Sequence, residues 1–103
     1  MNALSRLSEW YAAQCNREWE HLFGIDITTL DNPGWRVRIE LSDTPLSDRV
    51  LEPVKIQRTE TDWVWCRTVD NTFDSSGGPH NLEEIVDVFI HWAESVAVKA
   101  SAP

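Results

Sequence analysis

A chain of 103 residues with 42% hydrophobic and 25% charged residues has the size and composition of one globular domain with a modest core, too small for a catalytic domain plus a regulatory one. Nine Lys and Arg against seventeen Asp and Glu give a formal net charge of −8, which repels phosphate backbones and anionic lipid, so neither nucleic acid nor membrane is expected as a partner. The acidity leaves two readings open: solubility of a small domain, or encounter with a basic protein.

The first predicted element is a helix over residues 3–15. Leu4, Leu7, Tyr11 and Gln14, with Trp10 beside them, recur at three-to-four spacing, while Arg6, Glu9 and Ala13 lie elsewhere on the wheel. This stretch, interrupted by Arg6 and Glu9, lacks the apolar run of a signal peptide, and no segment reaches membrane-spanning length. A soluble, cytoplasmic protein is therefore expected. Gly24 opens "GIDITTL", in which Ile25, Ile27 and Thr29 alternate with Asp26 and Thr28, the period of a half-buried strand. In "WRVRIEL", Trp35, Val37, Ile39 and Leu41 face one way and Arg36, Arg38 and Glu40 the other. Between the two strands, Asn32-Pro33-Gly34-Trp35 has the chemistry of a type II turn, with Gly34 at the position of positive φ. Asp31 either bonds the turn amides or meets a partner; Trp35 either begins the inward face of the second strand or belongs to a contact surface.

After the polar connection "SDTPLSDR", Val50, Val54 and Ile56 predict a third strand, with Pro53 making it an edge strand or giving it a bulge. "TETD" turns the chain into "DWVWCRTV", where Trp63 and Trp65 share one face and Val64, Cys66 and Thr68 the other. That strand is expected centrally, or between a helix and a partner protein. "NTFDSSGGPHN" reads as loop by composition. Asn81 and Glu84 have the spacing of a capping box, and Leu82, Ile85, Val86, Phe89, Ala93 and Val96 form the stripe of a closing helix, with a frayed tail over 98–103. The predicted fold is α+β: an N-terminal helix, a four-stranded antiparallel sheet and a C-terminal helix packed on the sheet, in a single domain over residues 1–103.

Catalytic constellations are scarce. There is no GxSxG elbow, and Cys15 and Cys66 make neither a CxxC pair nor a metal spacing, so they read as reduced thiols. Cys66-Arg67 at a strand end resembles the cysteine loop of rhodanese sulfurtransferases, but without the glycine that lets backbone amides cradle a persulfide. A sulfurtransferase using Cys66 is the enzymatic alternative; a small buried apolar residue is the other reading. His21, His80 and His91 are dispersed, and Gly77-Gly78-Pro79 lacks the residues of a phosphate loop. No metal and no cofactor is expected. Six tryptophans exceed what so small a core requires; four are expected inside, with Trp35 and Trp63 as candidates for a binding face.

The segment "LSEWYAAQCNREWEHLFGIDITTLDNPGW" resembles the Imm53 family, immunity proteins of bacterial polymorphic toxin systems. Leu7 to Tyr11 match a "LxxWY" helix, Cys15 to His21 a "CxxxWEH" segment, Gly24 to Trp35 a "GxxIxTLDNPGW" hairpin, and Asp62-Trp63 a "DW" strand start; the final helix around Leu82, Phe89 and Trp92 also fits. Phe23 stands where a tyrosine is expected, and Arg17 where a small residue such as glycine is usual. The resemblance implies a non-catalytic cytoplasmic antitoxin that binds a cognate toxin domain, as monomer or homodimer. If that toxin is a basic nuclease, carboxylates are expected to mimic phosphates in its groove. The expected contacts are then Asp31, Trp35, Glu60, Asp62, Trp63, Asp70 and Asp74, on a framework of Trp10, Trp19, Glu20, His21, Gly24, Asn32, Pro33 and Gly34. "SDTPLSDR" and "TFDSSGGPH" stand as alternative contact segments.

Overall fold

A computed structural model describes residues 2–101. In chain order the elements are α1 (Ala3–Gln14), a single turn α2 (Trp19–Leu22), β1 (Ile25–Leu30), β2 (Gly34–Glu40), β3 (Val54–Gln57), β4 (Trp63–Val69), β5 (Thr72–Gly77) and α3 (Leu82–Ser101). The strands form one antiparallel sheet in the order β1-β2-β5-β4-β3. One face is covered, with α3 against β4 and β5 and α1 against α3. The α+β order is as expected, and β3, just after Pro53, is an edge strand.

The sheet has five strands rather than four, and Thr72–Gly77, expected as loop, is its middle strand. Composition misleads here because packing decides. Phe73, Ser75 and Gly77 are all buried, and Ser75 satisfies its hydroxyl by donating to the Val37 carbonyl at 2.8 Å. A Cβ on Gly77 would come within 2.9 Å of the Ile85 side chain. Small residues on this strand therefore let α3 close on the sheet, a benefit that outweighs weak strand propensity. The turn into β5 is the two-residue Asp70-Asn71, with φ of 50° and 59°, the pair of positive values that a tight hairpin of matching twist requires.

Three further details depart from expectation. No glycine among the described residues has a positive φ, so the β1–β2 connection is not the expected type II turn with Gly34 at its third position. Leu30 pairs with Gly34 across a loop of Asp31, Asn32 and Pro33, and Gly34 is required because a Cβ there would overlap the Gly77 carbonyl. In α1 the buried residues are Ala3 and Leu7, with Trp10 packed on the core, while Leu4 and Tyr11 are 60% and 38% exposed. The bulk of Trp10, edge-on to Phe89 at 4.9 Å and to Trp19 at 6.1 Å between ring centroids, turns the helix so that the expected stripe is rotated towards solvent. Finally, α3 remains helical to Ser101, past the expected fraying at 98; Ala102 and Pro103 lie outside the described residues.

The core runs through both layers: Val37, Ile39, Val64, Cys66 and Phe73 from the sheet meet Ile85, Val86, Phe89 and Ile90 from α3, each large aliphatic side chain contributing about 1.5–3 kcal/mol by burial. The connection over residues 41–53 adds Leu41, Leu46 and Leu51. Its turn is held by Thr44, whose hydroxyl donates to the Leu41 carbonyl at 2.7 Å and accepts from the Leu46 amide at 3.1 Å.

Candidate functional site

The strand register puts the β1–β2 turn, the β3–β4 turn and residues 78–81 at one end of the sheet. Asp31, Trp35, Glu60, Asp62 and Trp63 therefore gather there, Asp74 lies in mid-sheet on β5, and Asp70 sits at the opposite end. The seven expected contacts do not form one cluster.

At the turn end, two expected contacts hold the fold together. The Arg58 guanidinium donates to Asp62 at 2.9 Å and to both Glu84 oxygens at 3.0 and 2.7 Å. The Asn81 amide nitrogen donates to the same two carboxylates at 2.9 and 3.1 Å. This clamp ties the β3–β4 turn to the start of α3. Hydrogen bonding holds both carboxyls below their ordinary values: for Asp62 the bond from Asn81 leads, for Glu84 the bonds from Arg58. The same pull of two carboxylates on the Asn81 amide alters the expected capping box. Asn81 and Glu84 meet side chain to side chain, and Asn81 Oδ1 has no hydrogen-bond partner among the described residues. Trp35 turns inward onto the core and donates its indole N–H to the Pro79 carbonyl at 2.9 Å. Asp31 and Glu60 are exposed and make no hydrogen bond or ion pair among the described residues.

The motif residues differ in their surroundings. Trp19 is fully buried and donates to the Ser42 carbonyl at 2.9 Å, with Trp10, Tyr11 and Phe23 around its ring. Glu20 accepts from the Asn16 and Arg17 amides, and its carboxyl is lowered, first by its own backbone amide and then by those two. His21 is exposed, as are Asn32 and Pro33 in the turn. Gly24 has open space where a Cβ would stand. Asp70 occupies a positive-φ turn position.

The face of the sheet opposite the helices has no covering element among the described residues. Register aligns two rows of side chains across it: Thr28, Arg36, Ser76, Trp65 and Lys55, and beside them Asp26, Arg38, Asp74 and Arg67. Asp74 is shared by Arg36 at 3.4 Å and Arg67 at 3.8 Å. The Arg67 guanidinium lies 4.9 Å and the Lys55 ammonium 5.8 Å from the centre of the Trp65 ring. A recess of about 260 Å³ opens between Leu30, Arg36, Trp65, Arg67 and Asp74. Four tryptophans do serve the core, but they are Trp10, Trp19, Trp35 and Trp92; Trp65, 42% exposed, takes the surface place expected of Trp35. The alternation of "DWVWCRTV" put Trp65 opposite buried Val64 and Cys66, and that was the signal for it.

Cys66 is wholly buried, and burial, with a smaller contribution from the Glu84 charge, pushes its thiol up to about 12. Neither cysteine is in a disulfide. Among the described residues no three His, Cys, Asp or Glu side chains converge to hold a metal, and no helix is long and apolar enough to cross a membrane. No curated protein and no solved structure matches the chain. The family model described as Immunity protein 53 matches residues 4–94. Covering every strand and most of the helical residues, that match shows that the chain belongs to the Imm53 family.

Proposed function

We propose that the protein is the antidote of a polymorphic toxin system: it binds its cognate toxin domain in the cytoplasm of the producing cell and blocks it by covering surface, without chemistry of its own. The observation that carries this reading is the family match over residues 4–94. Two features support it. Cys66, the nucleophile a sulfurtransferase would need, is buried and held as the thiol by a value raised to about 12, whereas sulfur chemistry runs through the thiolate. The uncovered sheet face offers a broad polar surface with an exposed aromatic on β4, a form suited to a protein partner more than to a small substrate.

The experiment is co-expression with the toxin domain encoded beside this chain, followed by growth and co-purification from the cytosol. Rescue with a one-to-one or two-to-two complex is the expected result. A folded protein that neither rescues nor binds would sink the reading, and sulfur transfer by Cys66 would be assayed next.

A further inference from the structure

The sign of the charge on the open sheet face is opposite to that of the molecule. The chain carries a formal charge of −8 with nine cationic side chains, and four of them, Arg36, Arg38, Lys55 and Arg67, stand together on this face against three carboxylates, Asp26, Glu40 and Asp74. Glu40 is engaged by the Ser42 and Thr72 hydroxyls at 2.7 and 2.9 Å. Asp74 is divided between two arginines at distances longer than an ideal charged bond, and Arg38 and Lys55 form no ion pair among the described residues. In their midst Trp65 presents its ring beside two cations and the recess. Arginine and tryptophan are the residue types that most often dominate binding energy.

We infer that the open face of the sheet is the toxin-docking surface and that it receives a short acidic segment of the toxin domain, one carboxylate entering the recess between Arg36 and Arg67 beside the Trp65 ring. The inference rests on the immunity reading and assigns that reading its surface and the chemistry of its partner. An incoming carboxylate completes the hydrogen bonding that Asp74 satisfies only in part, and Trp65 closes one wall of the recess against water. The overall negative charge opposes an acidic partner at long range, so the acidic element must be local and the association must depend on salt. Nucleic acid, the other polyanion suited to an arginine-rich face with a tryptophan, is disfavoured by the same overall charge.

The test measures the affinity of the toxin domain for the unaltered chain, for Arg36→Glu/Arg67→Glu, for Trp65→Ala and for Asp31→Asn/Glu60→Gln, with thermal melts of each. The charge reversal is expected to weaken binding at least about 100-fold and Trp65→Ala about 30-fold, while the turn-end pair stays within about threefold. If the charge reversal impairs folding, Arg36→Gln/Arg67→Gln replaces it and is expected to weaken binding at least tenfold. Failure of the unaltered chain to bind any toxin domain overturns the immunity reading and this inference together. Binding by the unaltered chain that survives charge reversal overturns the surface alone, and loss confined to the turn-end pair transfers the contact to Asp31 and Glu60 and a basic partner. A titration with a single-stranded 20-nucleotide DNA, read by tryptophan fluorescence at physiological salt, is expected to show no binding; saturable binding lost on charge reversal would replace the acidic protein segment with a nucleic acid.

Discussion

Arg17 stands at φ 77°, a region in which an L side chain costs about 1–2 kcal/mol. The turn around it is built without its side chain. Its amide, like that of Asn16, donates to the Glu20 carboxylate, and the Asn16 carboxamide oxygen accepts from the Glu18 and Trp19 amides. The guanidinium itself forms no ion pair among the described residues. Arg17→Gly therefore keeps every bond of the turn and removes the strain, against a smaller loss from the freer unfolded chain. The expected net gain is about 0.5–1 kcal/mol, a rise of a few degrees in Tm by calorimetry; a fall in Tm would show that the arginine carries an interaction of its own. The departure of Arg17 from the family pattern was visible in the sequence, but its cause, a backbone angle, was not.

At the scale of elements, the Arg58 clamp joins the β3–β4 turn to the start of α3. Asp62 and Glu84 titrate below their ordinary values of 3.8 and 4.5. A depressed carboxyl binds its proton more weakly in the folded state, so its stabilisation is present above the ordinary value and is lost as pH falls through the depressed one. Melts of the wild type from pH 6 to 2.5 are expected to show a drop in Tm below about pH 4.5. Glu84→Gln should melt lower at pH 6, show a shallower drop, and approach the wild type at pH 3; parallel curves would remove the clamp from the acid response. The partners of this clamp are 26 and 19 residues apart in the chain, beyond the reach of any local pattern. Strand β5 was hidden for a related reason: Asp, Ser and Gly are turn formers by propensity, and only the approach of α3 makes the small size of the inward Ser75 and Gly77 useful. Asp70-Asn71 between two β-branched residues, Val69 and Thr72, was the readable trace of that hairpin.

Across the whole molecule, sheet, connection and helices share one contiguous core, so unfolding is expected to be a single transition, with circular dichroism and tryptophan fluorescence giving coincident midpoints. Phe73, fully buried on the middle strand and 5.1 Å from Phe89 between ring centroids, joins the layers. Phe73→Ala should cost about 3–5 kcal/mol and lower both midpoints together; a shift in only one probe would mean that the layers unfold separately. The one-sided arrangement of the helices also sets the surface on which the proposed docking rests. Covering one face leaves the other to present Arg36, Arg38, Lys55, Arg67 and Trp65, whose cationic balance is invisible in the net charge of −8.

The sequence by itself determined the α+β order, the inward face of β2, the restriction that Pro53 puts on β3 and, through its motifs, the family. These follow from local period, turn chemistry and residue identity, which act between neighbours in the chain. Tertiary structure alone decided that Thr72–Gly77 is the central strand, that Gly34 serves a close approach to the Gly77 carbonyl instead of a turn angle, that Trp35 packs on the core and donates to the Pro79 carbonyl, and that Trp65 and four cations share one surface. Each of these depends on which segments meet across the sheet. That meeting is settled by burial of the common core and by strand pairing over long chain separations, neither of which has a local signature.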